Sequence, residues 1–402
     1  MKIQVKQTDL SSGLNIVSAA VRSKVLPVLA NVLLAVEDDR LRLFATDLEM
    51  SVACSIEPAH IEKAGSISVP ARTFADLVAT LPGGERVSLE LDGETQTLLV
   101  SCGDSRTKIK GMDANEFPPF PEAVGSPAVR VTAAAFKKAI RQTAFAASKD
   151  ESRPILAGVL LEASGDTVRA ANTGGISEAI LWTPVRDGNN LTLTAADGFR
   201  LSRRQVEANV VLPGAKAVVP VRALTILAKA VPDDAEVSIW IAANQVIFAA
   251  SGVRVTAQVI DGNYPDVKPI LDMPTPTTVS VNRDALVAAC RQSLVVAREG
   301  SYALRLVIEP GNGNGDSGKI RLEAEAEGVG RSESHVEGDV DGEAVLLGVN
   351  VAFLLDAISC TEAAKASIGF GGANTPVRVI DGGLVQVIMP LSVPANPDNP
   401  SP

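Results

Sequence analysis

Apolar or small residues recur at 0, +4, +7 and +11 in three separate stretches: Leu10, Leu14, Val17, Val21; Phe136, Ile140, Thr143, Ala147; and Leu286, Cys290, Ser293, Ala297. That spacing keeps one face of a 3.6-residue helix apolar, so each stretch predicts an amphipathic helix. Each follows a valine five residues before its first member (Val5, Val131, Val281), with Thr8 or Asp9, Thr132 and Asn282 as candidate N-caps. A second kind of helix opens after Val-Pro-x-Arg. Val69-Pro70-Ala71-Arg72 leads into Phe74, Leu77, Val78 and Leu81, and Val219-Pro220-Val221-Arg222 leads into Leu224, Leu227, Ala228 and Val231. Between the helices, Val32–Val36, Leu41–Leu43, Val87–Leu91 and Leu98–Val100 read as antiparallel strands joined by Asp-Asp, Asp-Gly and Gly-rich turns.

These elements repeat. The two Val-Pro-x-Arg helices lie 150 residues apart, and Ala45-Thr46-Asp47-Leu48 corresponds to Ala195-Ala196-Asp197-Gly198 at the same offset. Leu26-Pro27-Val28-Leu29 and Arg153-Pro154-Ile155-Leu156 are offset by only 127, which predicts an insertion of about 23 residues within 163–190, as a hairpin or long loop. The opening helix occurs three times, so the chain reads as three α+β domains of two helices each: 1–127, 128–276 and 277–393. A proline-rich tail, 394–402, has no means of forming helix or sheet.

Composition narrows the chemistry. The chain has 402 residues, 37 Lys and Arg against 47 Asp and Glu, and a net charge of −10, so a polyanion would have to be met by a local basic surface. Only 3% of residues are aromatic, which argues against a base-stacking platform for single strands. Cys54, Cys102, Cys290 and Cys360 lie far apart without C-x-x-C spacing, which suggests neither zinc nor a disulfide framework and fits a reducing cytoplasm. No export signal or membrane span is read. His60 and His335 are the only histidines and have no ligand-spaced companions. Gly313–Lys319 satisfies G-x-x-x-x-G-K, but Ile320 replaces the Ser/Thr and the flanks look like strands, so a hairpin loop is expected. Ser105–Lys108 matches S-x-x-K in an alternating stretch, where the two side chains share no helical turn. Asp47 and Glu49 could face the same side of a strand, but acidic strand ends are usually just solvated. No cofactor, metal or catalytic constellation is expected.

Leu26–Leu34, Thr46-Asp47-Leu48-Glu49-Met50, Val69–Arg72, Asp197-Gly198-Phe199-Arg200-Leu201, Tyr264-Pro265-Asp266 and Val387-Ile388-Met389-Pro390-Leu391 together resemble the bacterial DNA polymerase III beta subunit, the DNA sliding clamp. The order, the spacing and the threefold repetition carry the resemblance from residue 1 to about Val393. It implies three DNA-clamp domains, each with two helices packed on antiparallel sheets, closing as a head-to-tail homodimeric ring around duplex DNA. The function implied is a non-enzymatic processivity factor that binds double-stranded DNA without sequence preference. Its partners would be the DNA polymerase III alpha subunit, the clamp-loader complex, and other polymerases and repair proteins bearing clamp-binding peptides.

For DNA contact the candidates are Lys137, Lys138, Arg141, Arg291 and Arg298 on first helices, and Arg222 and Lys229 on a second helix. Arg22, Lys24, Lys149 and Arg153 join them from the loops that follow. The resemblance implies a partner-peptide groove of Leu156, Gly198, Phe199, Arg200, Leu201, Pro265, Ile270, Val387, Met389, Pro390 and Leu391. It also implies a dimer interface in which Thr107 and Ile109 pack on the neighbour's helix near Val296. Phe199 stands where the family often has histidine, and Pro269 and Ser392 where a basic residue is common, so peptide preference can differ. The tail begins beside the groove and is either a cover for it or an end without a role. Two rival readings are a hydrolase or transferase on repeated α+β domains, and a ring of the same fold serving repair or a specialised polymerase.

Overall fold

The computed structural model describes residues 1–21, 26–150, 152–165, 167–170, 182–185, 189–311 and 318–392, with 167–170 and 182–185 as backbone. Seven α-helices lie among them: α1 (Gln7–Ser18), α2 (Ala71–Thr80), α3 (Ala133–Thr143), α4 (Val221–Ala230), the single turn α5 (Lys268–Leu271), α6 (Arg283–Ala297) and α7 (Val351–Ser359). The three periodic stretches become α1, α3 and α6, and every periodic position is buried except Val21, which lies past the end of α1. The Val-Pro-x-Arg segments open α2 and α4. In the third repeat Asn350 does the equivalent work, its side chain accepting from the backbone N–H of Ala352 (2.9 Å) and Phe353 (3.3 Å) at the start of α7.

Asn282 caps α6 as expected, accepting from Ala285 N at 2.9 Å. α1 differs: the helix starts at Gln7, so Thr8 and Asp9 sit inside its first turn, and Lys6 at the N-cap position gives no side-chain cap. The strand Lys2–Lys6 runs straight into the helix there, and Gln7 N donates to Glu85 O (2.9 Å) instead. Ala133 N at the start of α3 makes the matching bond to Ala235 O (2.8 Å). A neighbouring turn thus satisfies an orphan helix-end donor that a cap would otherwise take.

The chain packs as two compact units. The first comprises Met1–Lys137, Glu162–Leu191 and Glu207–Ile260. One of its sheets has five antiparallel strands in the order His60–Lys63, Lys2–Lys6, Arg86–Asp92, Thr97–Cys102, Ser105–Lys110, which leaves Ser105–Lys110 at an edge. The other has nine strands, and at its centre Val253–Gln258 pairs with Met50–Ile56, Val255 opposite Val52. Phe136 stacks on Phe248 between α3 and this sheet, ring centroids 5.9 Å apart. Truncating either ring to alanine would cost about 3–5 kcal/mol.

The second unit comprises Lys138–Leu161, Thr192–Val206 and Asp261–Pro402. Its sheet runs from Arg200–Glu207 through Leu384–Ile388, Val377–Asp381, Lys365–Phe370, Thr277–Asn282, Gly330–Asp341, Gly318–Ala326 and Ala303–Glu309 to Val345–Asn350. Here Leu384–Ile388 pairs with Arg200–Glu207, Val387 opposite Leu201. Gly330–Gly338 pairs with Gly318–Ala326 on one side, and only Gly338–Asp341 pairs with Thr277–Asn282 on the other. The second edge of Gly330–Glu337 is therefore open among the described residues. Leu286, Cys290 and Ala297 of α6 and Leu354 and Ile358 of α7 pack over Leu304, Leu322 and Val336.

The middle repeat contributes to both units. The last strand of a repeat hydrogen-bonds to the repeat before it, so packing does not break where the sequence repeat does. Ser105–Lys110 is a strand and Gly318–Ala326 pairs with Ala303–Glu309, so neither the S-x-x-K nor the G-x-x-x-x-G-K match lies at a helix start. Within 163–190, Thr167–Ala170 pairs antiparallel with Trp182–Val185 as a two-stranded sheet of its own. Residues 171–181 and 186–188 of that segment, the loop 312–317 and the tail 394–402 lie outside the described residues.

Candidate functional site

The Asp197-Gly198-Phe199 turn is built by one carboxylate. Asp197 Oδ1 accepts from Phe199 N and Arg200 N, both at 2.9 Å, and Oδ2 accepts from Arg200 Nε at 3.1 Å. Gly198 takes φ +93°, which a side chain would strain, and the turn leaves Phe199 62% exposed. Arg200 is held rigidly behind it. Nη1 donates to Asp356 (2.7 Å) and Nη2 to Phe145 O (2.7 Å), and the guanidinium lies 4.3 Å from the Phe353 ring centroid and 5.1 Å from that of Phe145. With a side chain only 13% exposed, this cation needs such compensation. Phe145, Phe353 and Asp356 thus belong to the site although no sequence signal singled them out.

The strand pairing carries the turn to a second apolar segment. Met389 N donates to Phe199 O at 2.8 Å and Leu391 N to Gly348 O at 2.8 Å, so Met389 and Phe199, both exposed, come side by side. Pro390 and Leu391 are half-buried, Pro265 is exposed, and Ile270 lies on α5, which packs on Leu384–Ile388. Leu156, Leu201 and Val387, expected in a groove, are buried. Burial raises the Tyr264 phenol above its ordinary pKa, keeping it neutral beside Pro265.

Of the expected DNA contacts, Arg141, Lys149, Arg153, Lys229 and Arg291 are exposed. Lys138 pairs with Glu362 at 2.5 Å and Arg298 with its neighbour Glu299 at 3.1 Å. Lys137 and Arg222 differ from expectation because their charges are already matched within the first unit. Lys137 Nζ donates to Val231 O and Asp233, both at 2.6 Å. Arg222 pairs with Asp47 and donates to the carbonyls of Ala19 (2.7 Å) and Ala20 (3.1 Å), where α1 ends. Arg22 and Lys24 lie outside the described residues.

At the expected dimer interface Val296 is half-buried on α6. Ile109 is a correction: at 6% exposure it belongs to the core of its own unit, and Thr107, two residues away on the same strand face, is half-buried with it. The opposite face of that strand presents Arg106, Lys108 and Lys110 to solvent.

Burial pushes the thiols of Cys54 and Cys360 up to about 11 and that of Cys290 to about 12, so none is a ready thiolate. Asp47 lies in a turn, accepting from Met50 N (2.8 Å) and pairing with Arg222, and Glu49 gains no partner acid. No group of three or more metal-ligating side chains occurs among the described residues. His60 is exposed, and His335 lies 3.3 Å from Glu333 on an open strand. No helix among the described residues is long and apolar enough to cross a membrane.

Three α+β repeats joined strand to strand, with an exposed apolar turn beside the last strand, define a protein of the DNA-clamp fold. Residues 1–121 match the DNA polymerase III beta subunit N-terminal domain, 130–187 and 182–266 its central domain, and 272–392 its C-terminal domain. The chain belongs to this family, the bacterial beta sliding clamps, which are processivity factors and not enzymes. It is 29% identical to the beta sliding clamp of Synechocystis sp. over 97% of this chain and 99% of that one, and 27% identical to that of Bacillus subtilis over the same shares. The crystal structure of the DNA polymerase III subunit beta from Pseudomonas aeruginosa superposes with a TM-score of 0.85 at 25% identity, covering 98% of this chain and all of that one. The C. crescentus beta sliding clamp does so at 0.84 and 27%, covering 98% and 99%.

Proposed function

We propose that two copies of the chain close head to tail around duplex DNA and offer the Phe199–Met389 surface to short apolar peptides. Those peptides would come from the DNA polymerase III alpha subunit, the clamp loader, and other polymerases and repair proteins. The observation that carries the ring is the repeated join. In each unit the last strand of one repeat pairs with the strand that follows the Asp turn of the repeat before it: Val253–Gln258 on Met50–Ile56, and Leu384–Ile388 on Arg200–Glu207. The same rule applied between copies pairs the edge strand Ser105–Lys110 with the open edge of Gly330–Glu337. Arg106, Lys108 and Lys110 on one strand complement Glu333 and Glu337 on the other. A heterologous contact made twice by two copies closes on itself.

Arg141, Lys149, Arg153, Lys229 and Arg291, with Arg22 and Lys24, supply weak phosphate contacts that carry no sequence information, which suits sliding. The net charge of −10 is no obstacle, because topology and not attraction retains the DNA. Exposed Phe199 and Met389, bordered by Pro265, Ile270, Pro390 and Leu391, form an adaptable apolar surface for a peptide, and tethering acts by raising the effective concentration of polymerase at the primer end. The reading of three clamp domains at 1–127, 128–276 and 277–393 is supported by three consecutive family segments, 1–121, 130–266 and 272–392, the third of which begins five residues before the border drawn at 277. A cytoplasmic place follows from that work.

The test is loader-assisted retention on a nicked circle followed by a single cut. Release on linearisation is expected. Protein that stays bound after the cut, or is never retained by a competent loader, would overturn encirclement.

A further inference from the structure

Two positions recur at every join. The first is an acid directly after the strand that precedes each turn into a joining strand: Asp47 follows Arg40–Thr46, Asp197 follows Asn190–Ala196, and Glu327 follows Gly318–Ala326. The second is the second residue of each repeat's second helix: Arg72 in α2, Arg222 in α4 and Ala352 in α7. In the first unit these positions meet. Arg222 of the second repeat pairs with Asp47 of the first, and its other amino group closes the carbonyls of Ala19 and Ala20 that end α1. The guanidinium there answers both a carboxylate and the negative end of a helix. In the second unit the arginine is missing. Ala352 stands in its place, and Asp197 is taken by Arg200 of its own turn, which goes on to Asp356.

That leaves the acid of the third repeat and the arginine of the first. Glu327 and Arg72 are both exposed, and neither has a hydrogen-bond or ion-pair partner among the described residues. Glu327 sits in the turn that opens the free edge Gly330–Glu337. Close to it in the chain Val329 is exposed, and Val295 and Tyr302 are exposed on and after α6. Such apolar residues beside an open edge are the mark of a surface awaiting a protein partner.

We propose that Arg72 of one copy and Glu327 of a second copy form the ion pair that latches the ring, with the remaining donors of Arg72 on the carbonyls of Arg298 and Glu299 where α6 ends. The inference rests on the head-to-tail reading above and assigns the residues that hold it shut. Arg298 is the C-cap of α6 as Ala19 is of α1, so the acceptors correspond helix end for helix end. Each ring carries the latch twice.

The experiment is the concentration dependence of dimerisation of the full chain, by sedimentation or mass photometry, for the wild type, Arg72→Glu, Glu327→Arg and the double reversal. Each single reversal is expected to weaken the dimer about 30-fold or more, and the double to bind about 5-fold or more tighter than either single without reaching wild type, because the ion pair returns while the carbonyls that end α6 stay without their donor. Because both residues are exposed in the single chain, the variant monomers should keep the melting temperature of the wild-type monomer at dilutions where both are dissociated, and Arg72→Gln serves as a milder second variant. A wild-type dimer whose affinity is unmoved by Arg72→Glu and Glu327→Arg would overturn the latch while leaving the ring intact. A wild-type chain that stays monomeric would remove the head-to-tail reading, and the latch with it.

Discussion

Arg222→Ala tests the one join whose latch is formed within a single chain. The guanidinium contacts Asp47 through Nη1 and the carbonyls of Ala19 (2.7 Å) and Ala20 (3.1 Å) through Nη2. Without it, the Asp47 carboxylate, 7% exposed, keeps only the Met50 N–H at 2.8 Å, and the end of α1 loses two donors. An unpaired buried charge costs about 3–5 kcal/mol, but Arg222 is itself 28% exposed and water would enter, so a loss of about 2–3 kcal/mol is expected. Asp47→Asn removes the stranded charge, so the double variant should recover about 1–2 kcal/mol against the sum of the singles. Urea unfolding gives the global figure. Amide exchange at Ala19–Val21 and Leu48–Met50 gives the local one, which does not require the whole chain to unfold in one step. A loss below about 1 kcal/mol for Arg222→Ala, or singles that add within about 0.5 kcal/mol, would refute the reasoning.

Phe199→Ala and Met389→Ala should each weaken an apolar clamp-binding peptide about 10-fold in fluorescence anisotropy without changing stability, whereas Leu201→Ala, at a buried position, should cost about 2–5 kcal/mol in unfolding. Arg141→Glu, Lys229→Glu and Arg291→Glu should lower DNA affinity equally for all sequences and reduce the salt slope by about 1 each; Lys137→Glu should instead lower the melting temperature, since that lysine holds Val231 and Asp233. Iodoacetamide at neutral pH should label the native chain far more slowly than the unfolded one, the buried thiols being neutral. Their folded pKa values lie above the ordinary 9.0, so their contribution is complete below pH 9.0 and is lost as pH rises through about 11 to 12, visible as a falling melting temperature.

Much of the fold was legible in the chain. The helices α1, α3 and α6 and the strand Asn31–Glu37 follow from spacings of three, four or two residues, and the Asn282 cap from a partner three residues away. Such contacts are local, so the residues that make them stand together in the sequence. The family resemblance rests on the same footing, since the order and offsets of Thr46–Met50, Val69–Arg72 and Asp197–Leu201 are properties of the chain alone. Local reasoning failed at α1, where a backbone bond from Gln7 to Glu85 replaced the side-chain cap.

The site was legible only in outline. Phe199 and Met389 are exposed together, but Leu156, Leu201 and Val387 are buried, and Ile109 faces its own core. Which of two alternating faces a strand turns inward depends on what packs above it, and no spacing records that. The charges show the same limit. Lys137 and Arg222 read as ordinary exposed helical cations, yet carboxylates 96 and 175 residues away pair with them, and the cradle of Arg200 draws on Phe145 and Asp356, 55 and 156 residues distant. The sequence by itself determined the elements, their threefold repetition and the family, because hydrophobic periodicity and turn chemistry act over a few residues. Only the tertiary structure decided which side chains are free to meet DNA, a peptide or a second copy, because a side chain's freedom is set by neighbours that the chain brings back from far along its length.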